Sequence, residues 1–305
     1  SAASDVYKRQ AVYNGMYVKG QYLATFLYLW KYMAAWAVLY LEYEILVTEH
    51  PGHGVELVRK ACLQGGGQHL RFYACGGDGT LNEMVSGMMQ RQDRRPMGYI
   101  PLGSTNDLAV SLRLPTRVEE AALRAVTGNE FHMDVGTLND RYFNYIAAFG
   151  AFTETSYATP QEIKNALGHL AYILEGVKSL GKILPIHVKI TADDEQFEED
   201  YLFGAVTNTI SLGGVLKLDP EKVLLDDGMY ELLLVKNPTN ALEAQAMLTA
   251  IMTQNFDGPL VKMFHASDIT FESSHEISWT IDGEYGGTFS HTHILNNKNA
   301  VTLIV

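Results

Sequence analysis

Apolar positions settle into a regular rhythm from Tyr43 onward. "YEILVTEH" is a short β-rich run, and "GVELVRKACLQ" carries Val55, Val58 and Cys62 at helical spacing. "LRFYAC" predicts a second strand that runs directly into Gly76. Thr80-Leu81-Asn82-Glu83 then has capping-box spacing, with Thr80 as N-cap and Glu83 at the third helical position. Leu81, Met84, Val85 and Met88 follow at i, i+3, i+4 and i+7, one apolar helix face. The unit recurs: "MGYIP" is a strand, "LGSTND" a polar turn, and "LAVSLRL" opens a helix with Leu108 and Leu112 one turn apart. Strand, glycine turn and helix, twice over, predict a parallel sheet covered by helices. Ligands bind at the carboxyl ends of such strands.

After the helix "RVEEAALRAVTG" the rhythm changes. "FHMDVGTLNDRYFNYIAAFGAF" reads as two strands around an Asn139-Asp140 turn. "TPQEIKNALGHLAYILEGVKSLGK" predicts a long helix with Thr159 as N-cap, Pro160 first in the helix and Glu162 completing a capping box. The β-runs "IHVKIT", "YLFGAVTNT", "MYELLLV", "DITFES", "ISWTID" and "AVTLIV" follow, interrupted by the helix "ALEAQAMLTAIM". The fold class is therefore α/β followed by β. An α/β domain over residues 11–135 precedes a β-rich, sandwich-type domain over 136–305, with the boundary near Asp134 to Gly136. Residues 1–40 are atypical for the first domain. "SAASDVYKRQ" has no apolar period and reads like an unrelated leader. "YLATFLYLWKYMAAWAVLYL", Tyr22 to Leu41, is long enough to span a bilayer but carries Lys31 near its middle. A buried or amphipathic helix is the preferred reading, with an interfacial helix as the alternative.

Bulk properties narrow the class. With 305 residues, two domains are expected, and 47% hydrophobic with 19% charged residues describes a globular chain. A formal net charge of −12 argues against a nucleic-acid partner, which would meet a basic face. Cys62 and Cys75 are too few for a disulfide framework and match no zinc spacing, so buried free thiols in a reducing compartment are expected. No signal-peptide pattern is present.

The chemistry concentrates at "GGDGTLNE", Gly76 to Glu83. Glycines let backbone approach a ligand, and free N–H groups at a helix start favour an anion, usually phosphate. The spacing fits neither the P-loop nor the dinucleotide fingerprint. Asp78 beside a polyphosphate is repulsive unless a cation such as Mg²⁺ lies between them, which points to a metal-bridged nucleotide. An aspartate that merely caps a turn is the plainer alternative.

"GGDGTLNEMVSG" followed by "GYIPLGSTNDLA" resembles the paired signature of the diacylglycerol kinase catalytic family, which includes the sphingosine kinases. "DVGTLNDRYFNYIAAFGAF", "GHLAYILEGVKSL", "LLDDGMYELLLV" and "IDGE" extend the likeness from about Tyr43 to Val305. NAD kinases and phosphofructokinases share only the first turn. The chain most resembles the soluble bacterial branch, not the small integral-membrane enzyme of similar name. The resemblance implies that Gly76, Gly77, Asp78, Gly79 and Thr80 bind ATP phosphates. It implies too that Gly103, Ser104, Thr105 and Asn106 complete the nucleotide pocket. Asp78, Asp107 and Asp134 match an acidic, water-linked network around Mg²⁺; as bare residues Asp107 reads as a helix-start partner and Asp134 as a strand-end turn residue. Asp282 matches the catalytic base, with Glu284 orienting it, and an Asp-Gly hairpin is the alternative. Asp227, with the carbonyls of Leu224 and Met229, matches a second, structural metal site; a turn between strands is equally open.

The family's first phosphate loop, "NPxSGxG"-like, has no clear counterpart. "YNGMYVKGQ" stands there, with Asn14, Lys19 and Gly20 as its only remnants. The resemblance further implies an active site in the cleft between the domains and a cytoplasmic enzyme that docks transiently on the inner face of the membrane to reach a diacylglycerol-like lipid. Lys164, Lys178 and Lys182 are docking candidates, or simply a solvated helix face. A kinase for another lipid alcohol (sphingoid base, ceramide or undecaprenol) and a catalytically silent relative are the rival readings. A homodimer stays open.

Overall fold

The computed structural model describes residues 8–14, 42–64, 70–151, 184–212, 216–219, 221 and 223–305. The apolar segment Tyr22 to Leu41, the loop residues Lys19 and Gly20, and the Thr159-capped helix with Lys164, Lys178 and Lys182 lie outside the described residues. Among the described residues no helix is long and apolar enough to cross a membrane. The chain divides into two compact units, Ser1–His132 with Val301–Val305, and Met133–Ala300.

In the first unit the strands β1 (Lys8–Asn14), β2 (Glu42–Thr48), β3 (Arg71–Gly76) and β4 (Met97–Pro101) alternate with the helices α1 (His53–Gln64), α2 (Asp78–Met89), α3 (Asp107–Ser111) and α4 (Val118–Thr127). All pairings are parallel. β1 lies between β2 and β3, β3 pairs β4, and Leu303 and Ile304 from the end of the chain pair Met97 and Gly98 of β4. The spatial order β2-β1-β3-β4 followed by the final residues is that of a doubly wound sheet, and it reverses between β1 and β3. That reversal opens a crevice at the carboxyl ends of those two strands, where Gly76 and the glycine turn stand.

β3 and β4 are buried along almost their whole length, as strands covered on both faces must be. Tyr73, Cys75 and Ile100 pack against Ala121, Ala122 and Ala125 of α4. Small residues allow this closeness: a Cβ on Gly98 would lie 2.8 Å from Ala125 Cβ. Cys62 and Cys75 are free and buried, and burial pushes the Cys75 thiol up to about 12.

One expectation about α2 fails. Its N-cap is Gly77 in extended conformation, so Thr80 sits inside the first turn and is 2% exposed. Glu83 consequently does not complete a capping box. Its carboxylate accepts from the backbone N–H groups of Gly52 at 2.6 Å and Gly54 at 2.8 Å, clasping the start of α1. The box spacing was satisfied, but the helix starts upstream of it, at Asp78.

The second unit is antiparallel. Its strands are β5 (Glu130–Leu138, entering from the first unit), β6 (Arg141–Phe143), β7 (Ile146–Gly150), β8 (Ile186–Ala192), β9 (Glu195–Thr207), β10 (Ser211–Leu212) and β11 (Leu216–Lys217). β12 (Tyr230–Lys236), helix α5 (Ala241–Thr253), β13 (Val261–Ala266), β14 (Asp268–Ile281) and β15 (Glu284–Ile304) complete it. The ladder runs β13-β12-β9-β7-β14-β15. β8 joins the other ends of β9 and β14, through Ile186–Ala192 on one side and Ile269–Glu272 on the other. The two long strands thus fold the ladder back on itself around Phe149, Phe271 and Trp279, whose ring centroids lie 4.9 to 5.7 Å apart.

"DITFES" and "ISWTID", read as separate runs, form one strand with a register shift between Glu272 and Ile277. The last strand begins at Glu284 rather than near Ala300, because polar residues alternate along it on an exposed face. The Asn139-Asp140 turn does join β5 to β6, with Asn139 at φ 51°.

Candidate functional site

The two glycine turns of the first unit pack backbone against backbone. A Cβ on Gly103 would lie 2.6 Å from Gly77 Cα, and one on Gly76 would collide with Thr80. Leu102 N–H donates to Gly76 carbonyl at 2.7 Å, tying the second turn to the end of β3. Asn106 holds the second turn closed. Its Oδ1 accepts from Gly103 N–H at 2.9 Å, its Nδ2 donates to Gly103 carbonyl at 2.8 Å, and its backbone is left-handed at φ 53°. Tyr99 hydroxyl reaches the same oxygen at 3.3 Å. Asn106 is thus a brace of the turn, which leaves Ser104 and Thr105 at its exposed tip.

Asp78 and Asp107 are brought together: Asp107 N–H donates to Asp78 Oδ2 at 3.1 Å. Asp107 is 3% exposed at the start of α3. Burial, followed by the charge of Asp78, pushes the neighbouring Tyr99 hydroxyl far up, so it stays a neutral donor. Gly77, Asp78 and Gly79 remain half-buried at the mouth of the turn. A helix start with no side-chain cap, two glycine backbones and a carboxylate pair make a place for a phosphate whose charge a cation balances.

Asp134 belongs to the second unit and is fully buried. Its Oδ1 accepts from Asn299 N–H at 2.7 Å; its Oδ2 accepts from Gly228 N–H at 2.6 Å and Asn296 Nδ2 at 3.3 Å. Burial pushes this carboxyl up, while the N–H donors pull it back. With both oxygens so occupied, Asp134 fastens β5 to the Asp226–Met229 turn and to β15. Among the described residues no three His, Cys, Asp or Glu side chains gather closely enough to hold a metal ion.

Asp227, Leu224 and Met229, matched above to a second metal site, lie on the connection between β11 and β12. Asp227 Oδ1 accepts from Met229 N–H at 2.8 Å, the carbonyl of Met229 accepts from Asn296 Nδ2 at 3.3 Å, and Leu224 is exposed. Lys298 Nζ donates to Asp227 carbonyl at 3.0 Å, so an ammonium stands against this turn.

Asp282 and Gly283 form the two-residue turn between β14 and β15, at φ 47° and 84°, with Ile281 paired to Glu284. The side chain does more than turn the chain. Asp282, 6% exposed, accepts from Asn144 N–H at 2.7 Å through Oδ2 and from Tyr145 and Ile146 N–H at 3.0 and 3.2 Å through Oδ1. Three backbone donors fix the carboxylate's position. Glu284 is exposed beside it.

Sequence reasoning missed three buried groups of this unit, Asn144 and Asn208 at the strand ends beside Asp282 and Glu231 on β12, which are 1%, 0% and 1% exposed. Burial pushes the Glu231 carboxyl up to about 8. The available signal was polar residues set into apolar runs, "YFNYIAA", "AVTNTI" and "MYELLLV".

The family comparisons agree on one lineage. Residues 27–138 match the diacylglycerol kinase catalytic domain, and residues 152–304 match the YegS C-terminal NAD kinase beta sandwich-like domain. The diacylglycerol kinase of Staphylococcus saprophyticus is 35% identical over 214 residues, 70% of either chain. That of Bacillus subtilis is 33% identical over 234 residues, 74% of this chain and 77% of its own. A solved structure from Bacillus anthracis str. Sterne matches with a TM-score of 0.79 at 24% identity, covering 99% of this chain and 98% of the other, which speaks to the fold.

Proposed function

The chain belongs to the diacylglycerol kinase family, and from that membership we propose that it transfers the γ-phosphate of ATP to the hydroxyl of diacylglycerol, giving phosphatidic acid. The observation that carries the reading is the pair of interlocked glycine turns at the sheet's switch point, with Asp78 and Asp107 beside them. The backbone of Gly76–Thr80 and Gly103–Asn106 would cradle the phosphates. Asp78 and Asp107 are the carboxylates that would hold hydrated Mg²⁺, whose charge would offset that of the phosphates. Asp134, with its oxygens taken by N–H groups, would act on that site only as a structural fastener.

Asp282 is proposed as the base: the acceptor hydroxyl gives its proton to the carboxylate as its oxygen bonds the γ-phosphorus and the bond to the ADP oxygen breaks. Such help is worth roughly 10²–10⁴-fold, the remainder coming from position and charge neutralisation. Glu284 would orient the hydroxyl at the rim. The acceptor resides in a bilayer, so the working enzyme would dock peripherally at the cytoplasmic face.

Phosphate transfer to diacylglycerol in mixed micelles with Mg²⁺ and ATP, compared between the wild type and Asp282→Asn, tests the reading. Transfer that falls by two or more orders of magnitude in the variant supports reaction and base together. Transfer confined to a sphingoid base, ceramide or undecaprenol would replace the acceptor, and an unaffected Asp282→Asn would remove the base.

A further inference from the structure

The asparagines that serve this fold as structural pins are visibly bonded. Asn139 Oδ1 accepts from His293 N–H at 2.9 Å, and Asn297 Nδ2 donates to Val135 carbonyl at 2.9 Å and to Thr137 Oγ1 at 2.6 Å. Asn144 and Asn208 break that pattern. Both are buried, and among the described residues neither end of either carboxamide has a hydrogen-bond partner. Buried amide groups left unpaired work against folding, so they call for an explanation other than stability.

Their position supplies one. β7 is flanked by β9 and β14, with Ile146 paired to Thr207 and Ala147 to Ile281. Asn144 precedes β7, Asn208 follows β9 and Asp282 follows β14, so all three stand at one end of three adjacent strands. The backbone links them: Asn144 N–H donates to Asp282 Oδ2, while Asn208 N–H donates at 2.9 Å to the carbonyl of Tyr145, whose own N–H donates to Asp282 Oδ1. Asp282 is itself only 6% exposed. An alcohol that gives its proton to this carboxylate would stand at the strand ends that also carry the two carboxamides.

Resting on the lipid-kinase reading, we infer that Asn144 and Asn208 are acceptor-binding residues, whose carboxamides hydrogen-bond the oxygens flanking the reacting hydroxyl. A neutral glyceryl ester suits them, because hydroxyl and ester-carbonyl oxygens accept amide N–H groups. A sphingoid base has no ester carbonyl to offer them. The protein leaves these amides unsatisfied when empty so that the ester head satisfies them when bound.

The test measures steady-state kinetics on diacylglycerol mixed micelles, with thermal melting, for Asn144→Leu and Asn208→Leu. Each variant should raise the acceptor KM about tenfold or more, equivalent to ~1.4 kcal/mol. The nucleotide KM should stay unchanged, the preference for diacylglycerol over sphingosine should shrink, and Tm should equal or exceed that of the wild type. An unaltered acceptor KM or an equal rise in both KM values would overturn the inference. Should leucine be too large at either position, read as a lowered Tm, Asn144→Ala and Asn208→Ala decide the same split between the two KM values. A wild-type protein that transfers no phosphate overturns the lipid-kinase reading itself, an outcome distinct from an active wild type whose variants keep its acceptor KM.

Discussion

Gly103→Ala adds one methyl group where two backbones touch. Its Cβ would sit 2.6 Å from Gly77 Cα and 2.7 Å from Asn106 Oδ1. Carbon atoms rest about 3.5–4.0 Å apart, so the two turns must part by roughly 1 Å. The atoms in the way are backbone and the brace itself, so no flexible side chain can swing aside. Overpacking of this kind costs about 1–3 kcal/mol. A unit of this size should lose roughly 2–4 °C of Tm per kcal/mol. If the turns hold the nucleotide, separating them should also raise the KM for ATP, about tenfold for ~1.4 kcal/mol of lost interaction, while leaving the acceptor KM alone. Gly77→Ala is a milder companion, because its Cβ meets Gly103 Cα at 3.3 Å. Gly258→Ala is the control, with nothing nearer than Val261 carbonyl at 3.8 Å. Melting curves and nucleotide kinetics on the three variants should rank Gly103, Gly77 and Gly258 in that order. A Gly103→Ala protein that matches the Gly258→Ala control in both Tm and nucleotide KM would refute the interlock, and an effect on the acceptor KM alone would refute the place given to the nucleotide.

Glu83→Ala removes both partners of the Gly52 and Gly54 N–H groups; a loss of about 1.5–3 kcal/mol is expected, nearer the lower end because Gly52 is exposed, and an unshifted urea midpoint would count against the clasp. Glu231 is raised from 4.5 to about 8 in the folded protein, so the native state binds the extra proton between those values and stability is lost as pH rises through 8. The Tm of Glu231→Gln relative to wild type should therefore climb across that window, and parallel pH profiles would dismiss the effect. Leu303→Ala, 1% exposed and paired to Met97, should cost about 2–5 kcal/mol, read as early melting of the first unit by hydrogen exchange at β4; unchanged protection there would contradict the pairing.

What the sequence made legible was whatever local pattern decides. Two strand-turn-helix units, the Asn139-Asp140 hairpin and α5 could be read because spacing and turn chemistry act within a few residues. The start of α2 was misplaced because the helix begins at Asp78, upstream of the Thr80 spacing. The continuity of β14 and the length of β15 were hidden because pairing with a distant partner, not local apolarity, sustains them. Among site residues, the two glycine turns were visible as a motif, but Asp134 as a fastener depends on donors from elsewhere in the chain, 165 positions away for Asn299. Asn144 and Asn208 were visible only as polar residues in apolar runs, where an asparagine looks the same whether bonded or bare.

The return of Val301–Val305 to the first unit has a consequence for how the protein is made. Strands β1 to β4 leave the ribosome early, yet β4 waits for Leu303 and Ile304, which arrive after every residue of the second unit. At about 5–20 residues per second, the nascent chain spends on the order of ten seconds or more with that sheet edge unpaired. The second unit, contiguous from Met133 to Ala300, has all its strands while the first still lacks one. The half synthesised first is therefore the half that finishes last, and translation speed over the second unit sets how long its edge stays bare.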